Sequence, residues 1–246
     1  RSCPANLYDE AAISGSVARG VADRFSDCEI GFFVSTLQAA DVYKTWLETS
    51  GTNITLLRES LEPGKALYLE YLIDGHKAGT IWQVWDHIEA IFDALETNKL
   101  PEDMNDPWML AHIIPVGDAP RLHAYKTRIG HYPEVLRRQL IENDLKVWRW
   151  MLGVSDVFMA EAVAYRGQLY DLRRRQMLTI NSILTLLFAY NRHWQPDAKW
   201  YNEGMAALIH KPDDLRERID RLLTESDPAI LLPTMHALML DTMDIL

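Results

Sequence analysis

Apolar residues recur with two different periods along the chain, and the period changes near residue 105. Before it, short apolar runs bounded by turn residues predict buried strands, whereas after it apolar residues recur at helical spacing. The predicted strands cover residues 11–13, 27–34, 53–57, 66–73 and 76–85. Asp74-Gly75 separates the last two, and this pair is typical of a tight hairpin turn. With a helix predicted over residues 37–49, the first part favours a small mixed sheet of about four or five strands with helices on one side.

The second part of the chain has the apolar spacing of a helical bundle. Its predicted helices cover residues 108–114, 132–152, 155–165, 168–191, 212–225 and 228–244. Within residues 170–190, apolar side chains occupy most sides after Met177, which is the pattern of a buried central helix. Residues 100–107 contain prolines near both ends and predict a linker. We therefore expect an α+β chain, with a small mixed-sheet domain over residues 1–105 followed by an all-helical bundle domain over residues 106–246.

Residues 15–20, Gly-Ser-Val-Ala-Arg-Gly, follow the first apolar run and form a short stretch that begins and ends with glycine. The glycines break the strand and allow a short helix whose free N–H groups would suit a phosphate. Side chains at i and i+2 of a strand leave the same face, so Asp27 and Glu29 are expected to point together. By the same rule Cys28 and Ile30 should point into the core. Two neighbouring carboxylates repel each other unless a cation lies between them, and such oxygen ligands suit Mg²⁺.

The Gly-Ser turn, the spacer at residues 21–26 and the Asp-x-Glu pair together resemble the signature of a known family. This family is the DNA-polymerase-beta-like nucleotidyltransferase superfamily, in particular its bacterial kanamycin- and lincosamide-type enzymes and their uncharacterised relatives. The resemblance is specific over residues 13–34 and looser beyond them. The structural alternative is a glycine-rich turn followed by a solvated acidic strand end.

The resemblance implies roles for five residues of this stretch. Gly15, Ser16 and Arg19 would hold the phosphates of a nucleoside triphosphate, with ATP as the expected one. Asp27 and Glu29 would hold Mg²⁺ and act in catalysis. The implied reaction is in-line attack of an acceptor hydroxyl on the alpha-phosphorus, in which positioning and charge stabilisation do most of the chemistry.

The chain departs from the family pattern on the strand after the hairpin. The family usually carries a third acid there, and the corresponding position here is Gly79. Its loss leaves the second metal and the activation of the acceptor hydroxyl in question. Glu70, Asp86 and Glu89 are the candidate substitutes. The structural alternative for each is a solvated acid or, for Asp86, a helix cap.

A polar and aromatic stretch interrupts the helical pattern of the second part at residues 190–200, which we call the polar segment. Pro196 forces a turn there, so a lysine just after it could face the catalytic domain. In the resembled enzymes the helical half supplies a basic residue to the triphosphate. Lys199 is therefore the candidate phosphate ligand, with Asn191 as a second contact. The alternative is an ordinary connection between helices with a solvent-exposed lysine.

Glu161 and Asp156 are the acids of the second part that we expect to turn toward the cleft. Helical spacing puts Glu161 on one face with Phe158 and near Tyr165, beside an apolar stripe. A partly desolvated carboxylate would have a raised pKa and could act as general base for the acceptor hydroxyl. The resembled antibiotic-modifying enzymes use an acid of their helical half in this way.

Composition and charge exclude several classes of binding partner. The net charge of −10 argues against a nonspecific nucleic-acid surface, which would need a basic patch. Cys3 and Cys28 are too few for a disulfide framework and are expected to be free thiols, and the histidine spacing does not suit zinc. No apolar run reaches the roughly 18 residues of a membrane span and no signal segment opens the chain, so we expect a cytoplasmic protein without membrane contact.

Three functions remain open on the sequence alone. The first is a Mg²⁺-dependent nucleotidyltransferase that modifies a hydroxyl of a small molecule, for example an antibiotic. The second is a catalytically weak nucleotide-binding or antitoxin-like regulatory module, which the loss at Gly79 favours. The third is an enzyme that nucleotidylates a protein or RNA. The large helical half favours the first, and a homodimer is one open assembly state.

Overall fold

The computed structural model describes residues 3–51, 53–97, 99–101 and 105–246. Over these residues the chain has a six-stranded mixed sheet, with helices between and after the strands. The predicted α+β fold class is confirmed. Part of the predicted linker, residues 102–104, lies outside the described residues.

The sheet combines antiparallel pairing with one parallel pair. Its strands are β1 (Glu10–Ser14), β2 (Cys28–Val34), β3 (Ile54–Glu62), β4 (Ala66–Ile73), β5 (His76–Val84) and β6 (Ile114–Val116). They are ordered β3-β4-β5-β2-β1-β6, with β2 and β5 parallel and the other neighbours antiparallel. The hairpin between β4 and β5 forms where predicted, because Asp74 (φ 49°) and Gly75 (φ 81°) both adopt the positive φ that its tight turn needs.

Strand β6 is a difference from the sequence prediction, which placed a helix over residues 108–114 and no strand after it. Pro115 lies in the middle of β6, opposite Ala12 of β1. Proline lacks the N–H group for a central strand but is tolerated at a sheet edge, where β6 lies. Three residues are also too short to display an alternating pattern.

The helices occupy the spaces between strands and most of the chain after β6. They are α1 (Gly15–Arg19), α2 (Ala40–Ser50), α3 (Trp85–Glu96), α4 (Asn105–His112), α5 (Pro120–Ile129), α6 (Glu134–Met151), α7 (Val154–Tyr165), α8 (Leu169–Tyr190), α9 (Tyr201–Ala207), α10 (Leu215–Thr224) and α11 (Pro228–Ile245). Short 3-10 helices form at Ala5–Leu7 and Ala198–Trp200. Within the described residues, no helix combines the length and the apolar composition needed to cross a bilayer.

The chain divides into two compact units, Arg1–His131 and Tyr132–Leu246. This division falls later than the predicted boundary after residue 105, because α4, β6 and α5 stay with the sheet. Strand β6 pairs with β1. The buried carboxylate of Glu10 in β1 also accepts hydrogen bonds from two backbone N–H groups at the start of α5, at 2.9 and 2.8 Å. The first unit therefore includes everything up to the end of α5.

One face of the sheet carries a large apolar cluster of the first unit. Phe32 of β2 stacks on Trp82 of β5 with ring centroids 5.2 Å apart, and Tyr43 of α2 approaches Trp82 at 4.5 Å. These side chains are buried, together with leucines of β4. Since successive side chains alternate between faces, Glu29 and Glu70 lie on the opposite face. That face is only partly polar, because it also carries Phe33 of β2, which is buried and stacks on Trp85 of α3 with ring centroids 5.2 Å apart.

Helix α8 forms the centre of the second unit, as predicted. It packs against α6, α7, α10 and α11. Its fully or nearly fully buried apolar residues include Ile183, Leu184, Leu186, Leu187 and Phe188. A helix that is apolar on most sides must be covered on most sides, and the four surrounding helices supply that cover.

Candidate functional site

The Gly-Ser turn connects β1 directly to the short helix α1. Gly15 has a φ of 67°, a left-handed conformation that favours glycine. A Cβ atom at this position would overlap with Oε2 of Glu29, because Ser14 lies opposite Glu29 in the β1–β2 pair. Ser16 is buried. The turn and the second predicted acid are therefore in direct contact.

A single row of residues crosses the sheet through this contact. Ser14 of β1 pairs with Glu29, Glu29 with Gly79, Gly79 with Glu70, and Glu70 with Arg58 of β3. Glu29 and Glu70 thus flank Gly79, one on each side. We call Asp27, Glu29 and Glu70 the acid cluster.

The structure leaves little space for a side chain at Gly79, the position where the sequence resemblance implied an acid. A Cβ atom on Gly79 would lie 2.8 Å from the hydroxyl oxygen of Tyr68, so the tyrosine ring occupies the space that a side chain would need. The pKa of Tyr68 is raised by burial and then by the negative charges of Glu70, Glu29 and Asp27. The phenol lies over Gly79, whose strand is between those that carry Glu29 and Glu70. Sequence reasoning missed Tyr68, although it shares a face of β4 with Glu70 by simple alternation.

Lys77 lies between two of the acids. Its Nζ is 3.3 Å from Oδ2 of Asp27 and 2.8 Å from Oε1 of Glu70. The hydrogen bond to Glu70, followed by that to Asp27, raises the pKa of Lys77 above its ordinary value, so the side chain stays charged. Sequence reasoning missed this residue as well. The predicted hairpin did indicate one of its two ion pairs, the one with Glu70, because Lys77 is a diagonal cross-strand neighbour of that residue.

The other two candidate substitutes for the third acid are engaged differently. The Glu89 carboxylate accepts a hydrogen bond from the Tyr125 hydroxyl, which lowers its pKa together with the charges of Arg128 and Arg121. Asp86 is exposed in the first turn of α3, whose cap residue is Val84, so the predicted cap at Asp86 is wrong. Of the three substitutes, the structure brings Glu70 to the row.

Cys28 and Arg19 of the first unit have surroundings that the sequence did not predict. Cys28 is exposed, not buried as expected, because the first residue of β2 extends beyond the apolar core. Arg19 lies with its guanidinium carbon 4.6 Å from the centre of the Trp108 ring of α4. This stacking fixes the direction of the arginine at the end of α1.

Asn191 of the polar segment has a role in folding. Its side-chain amide donates to the carbonyls of Leu187 and His210, both at 2.8 Å. Its Oδ1 accepts from the backbone N–H groups of Ile209 at 3.0 Å and His210 at 2.8 Å. These four bonds use both donors and both acceptor positions of the amide. The amide therefore has no donor or acceptor position left for the predicted contact with a nucleotide.

Lys199 lies in the 3-10 helix of the polar segment and is exposed. Its backbone N–H donates to Oδ1 of Asp197, and its Nζ is 5.8 Å from the centre of the Trp200 ring. Lys211 is placed differently, because its Nζ donates to the carbonyls of Met205 at 2.7 Å and Ala206 at 3.3 Å at the end of α9. Of these two lysines, Lys199 has its ammonium group open to a ligand.

Glu161 does not have the environment that was predicted for a general base. It is exposed, and the aromatic residues of its face are exposed as well, Phe158 by 67% and Tyr165 by 94%. Its carboxylate is therefore not desolvated by an apolar stripe. The side chain of the second predicted acid, Asp156, lies outside the described part of the chain.

Comparisons with known proteins add limited information. Residues 113–201 match the family model of a domain of unknown function, DUF4037. No curated protein matches the chain. A solved structure, a nucleotidyltransferase-like protein from Exiguobacterium sibiricum 255-15, is similar with a TM-score of 0.44 and 10% sequence identity, over 96% of this chain and 68% of the other. The family match does not include the Gly-Ser turn or the acid cluster, and a likeness this distant assigns no activity.

The acid cluster offers oxygen ligands without forming a closed cage. Among the residues that the structure describes, no group of three or more His, Cys, Asp or Glu side chains is arranged to hold a metal ion. Mg²⁺, however, is usually bound through one or two carboxylates together with substrate phosphates. Asp27 and Glu29 beside the Gly-Ser turn fit that kind of site.

Proposed function

We propose that the chain binds a nucleoside triphosphate at the Gly-Ser turn and transfers its nucleoside monophosphate to a hydroxyl of a small-molecule acceptor. The observation that carries this proposal is the contact between Glu29 and Gly15. A phosphate held by the backbone of the turn would lie next to a carboxylate that can bind a cation. ATP is the expected nucleotide, and an antibiotic is one acceptor of the proposed class.

Each residue of the site would have a distinct task. Gly15 lets a phosphate approach the backbone, and the buried hydroxyl of Ser16 can donate to it. Arg19, directed by Trp108, offers a charge-assisted hydrogen bond to a phosphate oxygen. Asp27 and Glu29 would hold Mg²⁺, which would neutralise charge on the phosphates and on the leaving pyrophosphate.

Glu70 is the residue that we propose in place of the third acid. It lies directly across Gly79 from Glu29, so its carboxylate faces the same side of the sheet. A carboxylate there can accept a proton from, or orient, an acceptor hydroxyl. The exposed Glu161 is no longer needed for that task.

A second function is favoured by a specific observation. Tyr68 fills the space at Gly79, and Lys77 pairs with both Asp27 and Glu70. A site in which Asp27 and Glu70 are already paired with a lysine could bind a nucleotide without turning it over. The chain would then be a nucleotide-binding regulatory module.

The test is release of pyrophosphate from each of the four common nucleoside triphosphates with Mg²⁺, against a panel of hydroxyl-bearing small molecules. Transfer predicts acceptor-dependent release that is lost in Asp27→Asn and kept in Glu48→Gln, an exposed acid of α2. Nucleotide binding without release supports the regulatory module. The absence of both binding and release would contradict both functions.

A further inference from the structure

Lys77 carries a positive charge, as a metal ion does, and it is paired with two of the three residues of the acid cluster. Strand β5 lies between β2 and β4 in the sheet, so a side chain on β5 has a neighbour on each side. Asp27 immediately precedes β2, next to the pairing of Cys28 with Ala78, and Glu70 comes from β4. This topology holds the ammonium group between two carboxylates.

An ammonium group and a divalent cation need the same oxygen atoms. At 2.8 and 3.3 Å the Lys77 ammonium takes a carboxylate oxygen of Glu70 and one of Asp27. A cation that binds Asp27 must displace the ammonium or share the carboxylate with a nearby positive charge. Both cost free energy, because like charges a few ångströms apart repel.

The lysine can move without any change in the backbone. Its side chain is 46% exposed, more than those of Asp27 (23%) and Glu70 (18%). Lysine also carries its charge on a flexible four-carbon stem. A triphosphate arriving at the neighbouring turn would bring several negative charges, to which an ammonium group is attracted.

We propose that Lys77 couples metal binding to nucleotide binding. In the free protein its ammonium neutralises Asp27 and Glu70 and keeps divalent cations out. When a triphosphate binds, the ammonium turns to the phosphates and leaves Asp27 to the cation and Glu70 to the acceptor. Metal and nucleotide then bind together, and metal alone binds weakly. This inference rests on the proposed nucleotide site and assigns Lys77 a positioning role in it.

The experiment is a titration of the full chain with Mn²⁺, in which the free ion is followed by electron paramagnetic resonance. It is run without nucleotide and with α,β-methylene-ATP, which cannot transfer its nucleotidyl group. Lys77→Gln should bind Mn²⁺ without nucleotide roughly tenfold more tightly than the wild type, the equivalent of one charge-assisted hydrogen bond. With the nucleotide analogue the difference should shrink.

A matched control exists on another part of the first unit. Lys44 of α2 also bridges two carboxylates, at 2.7 Å from Asp41 and 3.0 Å from Glu59. Lys44→Gln should leave Mn²⁺ affinity unchanged. Lys77→Arg keeps the charge in a planar fork suited to two carboxylates, so its Mn²⁺ affinity should be no higher than that of the wild type. This second variant preserves the ion pairs and tests the role even if the glutamine variant does not fold.

The outcomes separate this inference from the function on which it rests. If Asp27→Asn loses the nucleotide-dependent Mn²⁺ binding but Lys77→Gln binds like the wild type, Lys77 has no coupling role and the nucleotide site stands. A Lys77→Arg variant that binds Mn²⁺ more tightly than the wild type would also overturn the role. If Asp27→Asn binds Mn²⁺ and the analogue as the wild type does, or if no protein binds Mn²⁺ under either condition, both the site and the inference are wrong.

Discussion

The acid cluster on the sheet and the polar segment of the second unit are both groups of polar side chains, yet their side chains have different roles in the structure. On the sheet, Glu29 contacts the Gly-Ser turn and Glu70 faces it across Gly79. In the polar segment, the amide of Asn191 is consumed by four hydrogen bonds to the protein itself. Polar residues on neighbouring strands come together because every second side chain of a strand lies on the same face of the sheet. A polar residue at the end of a helix is instead often needed as a hydrogen-bond partner for the backbone.

The largest expected effect is at Gly15. Gly15→Ala places a methyl group against Glu29, so nucleotide affinity should fall about a hundredfold, the loss of roughly two charge-assisted hydrogen bonds. Gly64→Ala is the control, because Gly64 has a similar φ of 73° with open space around it. Gly64→Ala should lose about 1–2 kcal/mol of unfolding free energy, and Gly15→Ala at least as much, because its methyl group must also displace the Glu29 side chain. Calorimetric titration with ATP and Mg²⁺ would show the difference, and equal affinities in the two variants would make the turn a structural element only.

Asn191→Ala should affect stability and not binding. The backbone groups that the amide satisfies would lose their partners, at a cost of about 1–2 kcal/mol in unfolding free energy, since three of the four bonds are exposed to water. Urea denaturation measures this loss, with Asn143→Ala on the exposed face of α6 as the control. Should Asn191→Ala lower nucleotide affinity while stability is unchanged, the contrast between the two regions would be wrong.

Lys199→Ala tests whether any residue of the polar segment serves a ligand. If the exposed ammonium binds the terminal phosphates, its loss should weaken ATP binding roughly tenfold and AMP binding hardly at all. Lys146, exposed on α6, is a better control than Lys211, whose ammonium caps α9. Equal effects on ATP and AMP, or an equal effect of Lys146→Ala, would exclude Lys199 from the site.

The smallest effect concerns Glu134, which pairs with Arg192 of the polar segment at 3.0 Å. Its hydrogen bond to Arg137 is the main cause that lowers the pKa of Glu134 from 4.5 to about 2, with smaller contributions from Arg138 and Arg192. A carboxyl group whose pKa is lowered in the folded state stabilises that state at pH values above its ordinary pKa. This contribution is lost as the pH falls from 4.5 to about 2. Glu134→Gln should therefore lose less stability over that interval.

Urea denaturation at several pH values would test this prediction, with Glu142→Gln of α6 as the control. The effect should be small and should weaken at high salt, because the ion pairs are at the surface. An unchanged pH dependence in Glu134→Gln would show that the pairs with the arginines do not stabilise the fold.

Local sequence patterns predicted the parts of this molecule that depend on near neighbours. The β4–β5 hairpin follows from Asp74-Gly75, and the buried helix α8 follows from its apolar composition. The parallel pairing of β2 with β5 joins residues about 50 positions apart, and no pattern within either strand predicts it. The Asp27–Lys77 pair and the row through Gly79 depend on that pairing, so the sequence could supply the residues but not their arrangement.

The central claim is that the Gly-Ser turn, Asp27 and Glu29 form one metal-dependent nucleotide site. It is tested most directly by calorimetric titration of the wild type, Asp27→Asn and Glu29→Gln with ATP, once with Mg²⁺ and once with EDTA. The account predicts that the wild type binds ATP with Mg²⁺ far better than with EDTA. Both variants should lose this difference while their unfolding temperatures without ligand stay close to that of the wild type. Variants that bind ATP with Mg²⁺ as tightly as the wild type would contradict the account.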